Sequence, residues 1–492
     1  MKARTFACLA ALLLGCGAAP DAAPPTVDPP PTPSSPVETA RPPAVTASPI
    51  ANLAFQLDCL SRPYPLGCTQ DAYKTLWASL GSDPLDESML KKLRAIGSKY
   101  ERELTPVPKL RYPLAEHAHY QSALIRAAWF DATSTDDGEQ RLTQWMTAAD
   151  AKSMADVLRH FEPRFQTWWQ STAGAECERY AHDLEEQLKD PWVAETVQRV
   201  AHFTRTEDLL SVTFNMHAIL KPGNSGSTSA TQVESHLPFE FEAGEAARER
   251  VDVLLHEMTH YYFANIPNDA LARLATSVET RFGTDAAAAF GLLNEGIATA
   301  VGNGIAGQHF MPERFPECFS NLRCLYNDDA IHTTAASLAE SPSWFNATID
   351  STEFMDAYAP AIAKARQTEG AHLLPLRATF AVYTTSQFVT PLALFRNRAR
   401  MGSISAYGSE SVELRSSLVD YPIASFVAFA RPGDLSSIDL LPGAARKTNA
   451  TCQMRVDDRA VWVLVANDES TMQAEVEKAA SVPPPTCGEG QR

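Results

Sequence analysis

Two histidines and one glutamate lie within five consecutive residues of this chain, His256-Glu257-Met258-Thr259-His260. Residues four apart in an α-helix lie on one face, a turn from each other, so both imidazoles can bind the same metal ion. Zinc is bound by histidine nitrogens in this way, and the glutamate between them can take a proton from a water on the metal. The motif therefore predicts a Zn²⁺ site on a helix. The alternative is a pair of ordinary core or surface histidines.

A carboxylate farther along the chain can supply the third ligand. Glu295 is the one acid in the apolar stretch 292–298, which has the pattern of a buried helix. Catalytic zinc sites use three protein ligands and leave one position for water. Two helices that cross beside the metal would bring Glu295 to the histidines. A charge near a helix N-terminus or a buried ion pair is the alternative for this residue.

The two motifs together, H-E-x-x-H and N-E-G-x-A, resemble those of the gluzincin metallopeptidases, the group that contains thermolysin and aminopeptidase N. The resemblance covers residues 210–305 well and the rest of the chain poorly. It implies a zincin-like core, Zn²⁺ bound by His256, His260 and Glu295, Glu257 as the general base, and a peptide or protein as the substrate.

Three features depart from the pattern of that family. The 34 residues between His260 and Glu295 exceed the interval in those relatives, which predicts an extra loop or helix. The stretch 213–218 lacks the glutamate with which aminopeptidases capture a free N-terminus. Thr299 stands where thermolysin relatives have an aspartate that orients a histidine, so another residue must hold the ligand in place.

The resemblance also implies a hydrogen-bond donor to the tetrahedral intermediate, a Tyr or His from a later helix. Tyr383 has a setting like that of the aminopeptidase tyrosine, although it lies farther along the chain. His332, Tyr358 and His372 are the other candidates. A purely structural role is the alternative for each of them.

Elements of both kinds must position these residues. Alternating apolar residues predict strands over 209–220 and 233–241, and in zincins one such strand borders the cleft and pairs with the substrate. Either run could do so, and plain sheet strands are the alternative. Helices are expected to follow over 245–264, 269–282 and 285–301, the last of them ended by Asn303 and Gly304.

The N-terminus has the composition of an export signal, in which two basic residues precede the apolar run 9–14. That run is too short to cross a bilayer. The sequence Leu13-Leu14-Gly15-Cys16 resembles the lipobox of bacterial lipoproteins, which implies acylation of Cys16 and anchoring in the cell envelope. The glycine that follows favours, by the same resemblance, the outer membrane of a Gram-negative bacterium. An ordinary secretory signal is the alternative.

Composition and periodicity divide the chain after the signal peptide, residues 1–16. Residues 17–50 contain eleven prolines and predict an extended tether. A helical region is expected over 53–205, a zincin-like catalytic domain over 206–402, and a small α+β region over 403–492. The last is expected to contain strands at 424–430 and 460–466 and helices at 435–441 and 470–480. Within the catalytic domain, residues 328–402 are expected to be mostly helical. The predicted fold class is α+β, predominantly helical.

Seven cysteines remain once Cys8 leaves with the signal and Cys16 is acylated, and an exported protein can oxidise them. Their positions predict three disulfides and leave Cys177 alone. The predicted pairs are Cys59–Cys68, Cys318–Cys324 and Cys452–Cys487. Free buried thiols are the alternative, because connectivity does not follow from sequence.

Charge and motifs together limit the functions and partners expected for this chain. The formal net charge of −17 becomes −19 when Lys2 and Arg4 are removed. The sequence shows no basic patch, which argues against nucleic acid as a partner. The predicted partners are a peptide or protein substrate and the membrane, through the lipid anchor; the oligomeric state stays open. The alternative to a peptidase is a catalytically silent lipoprotein that binds or scaffolds. The presence of Glu257 favours the enzyme, which the helical N-terminal region could hold latent by covering its cleft.

Overall fold

The computed structural model describes residues 40–488, except for 63–67, 105–118, 224–227, 320, 322–323, 369–370, 400–402, 408–413, 416–417, 420, 422 and 458. The predicted signal peptide, the predicted acylation site Cys16 and most of the predicted tether lie outside the described residues. The described part is mostly helical with two small sheets, as expected for a predominantly helical α+β protein.

Eight helices form the first part of the described chain, where the sequence predicts a helical region. Several begin at a side chain that satisfies a free backbone N–H: the Ser48 hydroxyl accepts from Ala51, and the Asp190 carboxylate accepts from Trp192. A π-helix, Trp169–Ala173, joins the sixth to the seventh. The helices are α1 Pro49–Ser61, α2 Gln70–Ser79, α3 Asp86–Lys99, α4 Gln121–Phe130, α5 Thr135–Leu142, α6 Ala148–Trp168, α7 Gly174–Leu188 and α8 Pro191–Thr204.

The first sheet has three parallel strands, β1 Ala44–Thr46, β2 Asn215–Leu220 and β3 His236–Phe241, in that spatial order. Strand β1 lies inside the predicted tether, so the prediction that the tether extends to residue 50 is wrong. The first predicted strand begins only at Asn215, because Glu207–Ser211 forms a 3₁₀ helix. A 3₁₀ turn buries Leu210 as a strand would, so alternation alone did not distinguish the two.

Two long helices carry the predicted metal ligands, α9 Val251–Ala264 and α11 Ala286–Thr299. Between them α10, Asn268–Phe282, confirms the extra helix expected in the 34-residue interval. Helix α11 does not end at Asn303 and Gly304 as predicted. It continues as a π-helix, Ala300–Ala306, into α12, Gly307–Phe310.

Gly302 explains why this segment is helical despite its glycines. A Cβ at Gly302 would lie 2.5 Å from the Asp252 carbonyl oxygen and 2.6 Å from the His256 backbone nitrogen. The glycine therefore permits close approach of the π-helix to α9 and does not mark a helix end. The helices that follow are α13 Phe315–Cys318, α14 Asp329–Glu340 and α15 Thr352–Ala365.

The second sheet is formed by β4 Ala378–Tyr383, β5 Ser403–Tyr407, β6 Ser425–Ala430, β7 Cys452–Val456 and β8 Arg459–Val465, in the order β5-β4-β6-β8-β7. Only β7 is antiparallel. Alternate residues of these strands enter two separate cores, one of them shared with α16 Val389–Arg398 and α18 Glu469–Ser481. The short α17, Gly443–Arg446, precedes β7.

The sequence misplaced the start of this C-terminal region. Strand β4 was expected to be helical and to belong to the domain 206–402, but it pairs with β5 and β6 in the second sheet. The strands predicted at 424–430 and 460–466 are confirmed, and so is the last helix. Of the helix predicted at 435–441, only the 3₁₀ turn Leu435–Ser437 forms.

Disulfides close three loops of the chain, and all three predicted pairs are confirmed: Cys59–Cys68, Cys318–Cys324 and Cys452–Cys487. Cys177 is a buried free thiol, as predicted. Among the described residues, no helix combines the length and the apolar character that a membrane span requires.

Candidate metal centre

Three side chains from two helices converge at one place, with one of them buried and the other two partly exposed. The Nε2 atoms of His256 and His260 are 3.0 Å apart, and each lies 3.6–3.7 Å from a carboxylate oxygen of Glu295. One ligand atom from each residue lies within 4.8 Å of the others. Donors bound tetrahedrally at zinc bond lengths are separated by about 3.4 Å. The structure thus brings together the three residues that the sequence predicted as ligands.

The unsatisfied polar atoms of this cluster fit a cation. Glu295 Oε2 is buried without a hydrogen-bond donor. The two imidazole nitrogens face each other and the carboxylate, with His256 only 7% exposed. Buried polar atoms in folded proteins are nearly always paired. Two imidazoles and a carboxylate are also the ligand types that zinc prefers, so the donor set and its spacing fit a divalent metal ion.

Electrostatics favour the protonation states that bind metal. Burial lowers the pKa of His256 to about 4, and the nearby His260 acts in the same direction. Burial alone would raise the pKa of Glu295, but His260, His256 and a hydrogen bond from Tyr326 bring it below its ordinary value. A neutral imidazole and an ionised carboxylate are the forms that ligate a metal.

Glu257 lies beside the cluster on the same helix and is partly buried. Burial raises the pKa of Glu257 to about 7; the charge of Glu295 adds to this effect, whereas His260 and the backbone N–H of Gln232 oppose it. A carboxylate with this pKa can both accept and return a proton near neutral pH.

Asn294 fixes the orientation of one of the two histidines. Its side-chain oxygen lies 2.9 Å from Nδ1 of His260 and accepts a hydrogen bond from it, which places the lone pair of the ring on Nε2, the nitrogen that faces His256. Asn294 is the first residue of the N-E-G-x-A motif, although no sequence pattern assigned it this contact.

Thr299, which stands in the place of the family's aspartate, is fully buried. Around His256, the Asn303 side chain and the Ala298 carbonyl lie near the ring and favour its protonated form, although Nδ1 has no partner of good hydrogen-bond geometry.

Tyr326 is a residue of the site that the sequence did not reveal. Its ring stacks on His256 with centroids 6.2 Å apart and planes 14° apart, and its side chain hydrogen-bonds to Glu295. It lies in the loop between the Cys318–Cys324 disulfide and α14, whereas the resemblance directed attention to later helices. His332, one of the predicted donors, accepts a hydrogen bond from the backbone of Leu325 and so supports this loop.

Tyr383 packs against one of the two cores of the second sheet. It is the last residue of β4. The charge that acts on Glu295 is that of Arg377, at the other end, immediately before the first residue of the strand. Six residues of extended chain span about 20 Å. Tyr358 donates to the Ala289 carbonyl, and His372 lies against the Ala479 carbonyl in the C-terminal region. The structure thus gives both residues other contacts.

The segment that precedes β3 borders the candidate base. Residues 229–233 run antiparallel to β3, with Thr231 donating to Pro238 and an isolated bridge between Ala230 and Phe239. The backbone N–H of the next residue, Gln232, points away from β3 and donates to Glu257. Of the two predicted strands, β2 lies between β1 and β3 inside the sheet. Of these two strands, therefore, only β3 can border a cleft.

A second group of potential ligands, Asp83, Asp86 and His160, has a different character. Arg164 donates to both carboxylate oxygens of Asp86, at 2.6 and 2.8 Å, and His160 lies 2.8 Å from one of them. A guanidinium thus occupies the position that a metal ion would need, and this group is an ion-pair cluster between α3 and α6.

No protein-family model, curated protein or solved structure matches this chain.

Proposed function

We propose that this protein is a zinc-dependent peptidase of the gluzincin type. The observation that carries the proposal is the convergence of His256, His260 and Glu295 at spacings that suit one tetrahedral ion, with Glu257 adjacent on the same helix. A metal site alone could be structural. The neighbouring carboxylate, with a pKa near neutrality, is what hydrolysis requires in addition.

Zinc held by these three residues would supply Lewis acidity and lower the pKa of a water molecule. Glu257 takes the proton of the attacking water and passes it to the leaving amine as the peptide bond breaks. Tyr326, whose side chain already contacts Glu295, is the phenol best placed to donate to the negatively charged oxygen that develops. The outward backbone groups of residues 229–233 bind the substrate as an added strand, which aligns its carbonyl with these side chains.

The proposal includes export and anchoring in the cell envelope through acylated Cys16. The lipobox-like sequence supports it, and so do the three disulfides, which persist in oxidising compartments. The proline-rich residues before the fold would hold the peptidase away from the membrane surface.

A fluorogenic peptide library tests the activity. The zinc-loaded mature protein should cleave members of the library, a chelator should abolish cleavage, and Glu257→Gln should lose it while retaining one equivalent of zinc. Glu185→Gln, on the exposed face of α7, is the matched control and should cleave normally. Zinc at one equivalent without cleavage by the wild type would favour a binding or scaffolding protein.

A further inference from the structure

A cavity of about 300 Å³ lies in the helical N-terminal region, between α1, α3, α4 and α6. Three arginines line it: Arg62 after α1, Arg94 on α3 and Arg126 on α4. Two carboxylates, those of Asp58 and Glu101, also face it, so one positive charge is in excess. This concentration of arginine stands out in a chain whose net charge is −17.

Two of the three arginines have partners. Arg62 forms an ion pair with Asp58, and Arg94 Nε donates to the Ser61 carbonyl at 2.7 Å. Glu101 accepts a hydrogen bond from Ser122 at 3.0 Å. By contrast, Arg126 forms no hydrogen bond or ion pair with any residue that the structure describes.

Arg126 is partly buried in the wall of the cavity. Burial lowers the pKa of its guanidinium from the ordinary value. Asp58, Glu101 and Glu234 act on it only from a distance. A partly buried charge without a protein partner is unfavourable, and water or a bound anion can complete it.

The wall beside Arg126 is apolar. Leu93, Ile125 and Met154 line the main cavity and also a smaller adjoining one of about 40 Å³. Trp129 lines the smaller cavity as well. A ligand that fits this space combines one negative charge with an apolar body, and the volume is at the lower end of the range for small-molecule sites.

We propose that this cavity binds a small organic monocarboxylate, whose carboxylate pairs with Arg126 and whose apolar part lies on Leu93, Ile125 and Met154. Arginine recognises a carboxylate through two parallel hydrogen bonds. A dianion such as phosphate exceeds the single surplus positive charge and leaves the apolar wall unused. The proposal does not depend on peptidase activity, because no metal ligand lines the cavity.

Calorimetric titration of the full mature protein tests this site, with octanoate and N-acetyl-leucine as probes. N-acetyl-leucinamide, which lacks the charge, and inorganic phosphate, which lacks the apolar part, should not bind. Arg126→Met should weaken carboxylate binding by at least about 10- to 100-fold, the effect of losing even one of the two charge-assisted hydrogen bonds. Arg126→Lys should weaken it less. Arg179→Met, an exposed arginine on α7, should leave it unchanged.

Two further measurements distinguish binding in this cavity from binding at the metal centre and from a purely structural role of Arg126. Carboxylate binding should persist when a chelator is present. A probe bound at the metal centre would instead be released. Without ligand, Arg126→Met should melt at or above the wild-type temperature, since an unpaired and partly buried charge is removed. Binding that survives Arg126→Met, no binding of either carboxylate to the wild type, or a ligand-free variant that melts several degrees lower would overturn the proposal.

Discussion

Tyr326 and Tyr383 offer a direct comparison between a residue that tertiary structure places and one that a motif suggests. Tyr326 stacks on His256 and hydrogen-bonds to Glu295, whereas Tyr383 ends a strand of the second sheet. Removing one donor to a developing oxyanion typically lowers kcat by about 10²- to 10³-fold. We therefore expect Tyr326→Phe to reduce kcat to this extent, with little change in KM, and to retain its zinc.

Tyr383→Phe is the matched control for that experiment, since it removes the same hydroxyl from the residue expected on the basis of family resemblance. Its kcat should equal that of the wild type. Steady-state kinetics on one fluorogenic peptide, with zinc measured by elemental analysis, compare the two variants. If Tyr383→Phe loses activity and Tyr326→Phe keeps it, the assignment of the donor to the loop before α14 is wrong.

Local spacing sufficed to predict that His256, His260 and Glu295 lie together, because both histidines lie on one turn of one helix and Glu295 lies in a motif of its own. The contacts of Tyr326 and Gln232 depend on how distant segments pack against α9 and α11, and no short-range pattern encodes that. Strand β4 was mistaken for helix for a related reason. Its neighbours in the sheet are β5 and β6, so the pairing that stabilises it comes from later in the chain.

At the level of elements, the approach of the π-helix to α9 should be sensitive to a single methyl group. In Gly302→Ala, the new Cβ would meet backbone atoms of α9 at 2.5 and 2.6 Å, and these cannot move aside as a flexible side chain could. Overpacking of this kind costs about 1–3 kcal/mol. We expect a lower melting temperature and weaker zinc binding, because His256 is one of the residues displaced.

Gly97→Ala is the control for that substitution. Gly97 lies within α3, and a Cβ there would meet nothing within 4 Å. Alanine favours helix over glycine, so this variant should be as stable as the wild type or more stable. Thermal melts and a zinc competition assay measure both variants. Wild-type zinc affinity in Gly302→Ala would contradict the role given to this close approach.

The ion pairs between α3 and α6 predict a dependence of stability on pH. Burial alone would raise the pKa of Asp86, but hydrogen bonds from Arg164, the Asp83 backbone and His160 lower it from 3.8 to about 2. A depressed pKa stabilises the fold above the ordinary pKa, and this contribution is lost as the pH falls through the folded-state value. Asp86→Asn should therefore melt below the wild type at pH 6, and the difference should shrink between pH 3.8 and about 2.

Asp71→Asn, at an exposed position on α2, is the matched control and should show no deficit at either pH. Melting temperatures of the three proteins across this pH range provide the test. A deficit in Asp86→Asn that stays constant down to pH 2 would mean that the charge of Asp86 is not what stabilises the contact.

On the scale of the whole molecule, the helical N-terminal region belongs to the same fold as α9 and α11, the helices that carry the candidate ligands. One hydrophobic core extends from α1 through α9 and α11 to α15. Strand β1 pairs with β2, and the Asn52 side chain donates to the Ala218 carbonyl at 2.9 Å. The boundary predicted near residue 205 thus crosses a continuous core, which a change in sequence pattern does not reveal.

A buried carboxylate also ties this region to the edge of the proposed cleft. Glu240 accepts hydrogen bonds from the backbone and hydroxyl of Thr69, just before α2, and from those of Ser229, where the segment before β3 begins. The N-terminal helices therefore position the segment that contacts Glu257. This arrangement argues against the hypothesis that they are a removable cover that keeps the enzyme latent.

We accordingly expect the mature protein to be active without proteolysis and a chain restricted to residues 206–492 to be inactive and unfolded. Removal of α1 to α8 would expose the apolar faces of β2 and α9, and the three-stranded sheet would lose β1. Circular dichroism and size-exclusion chromatography of the truncated chain, with a time course of activity during limited proteolysis, measure both effects. A rise in peptidase activity as the N-terminal helices are cleaved would show instead that they cover the cleft.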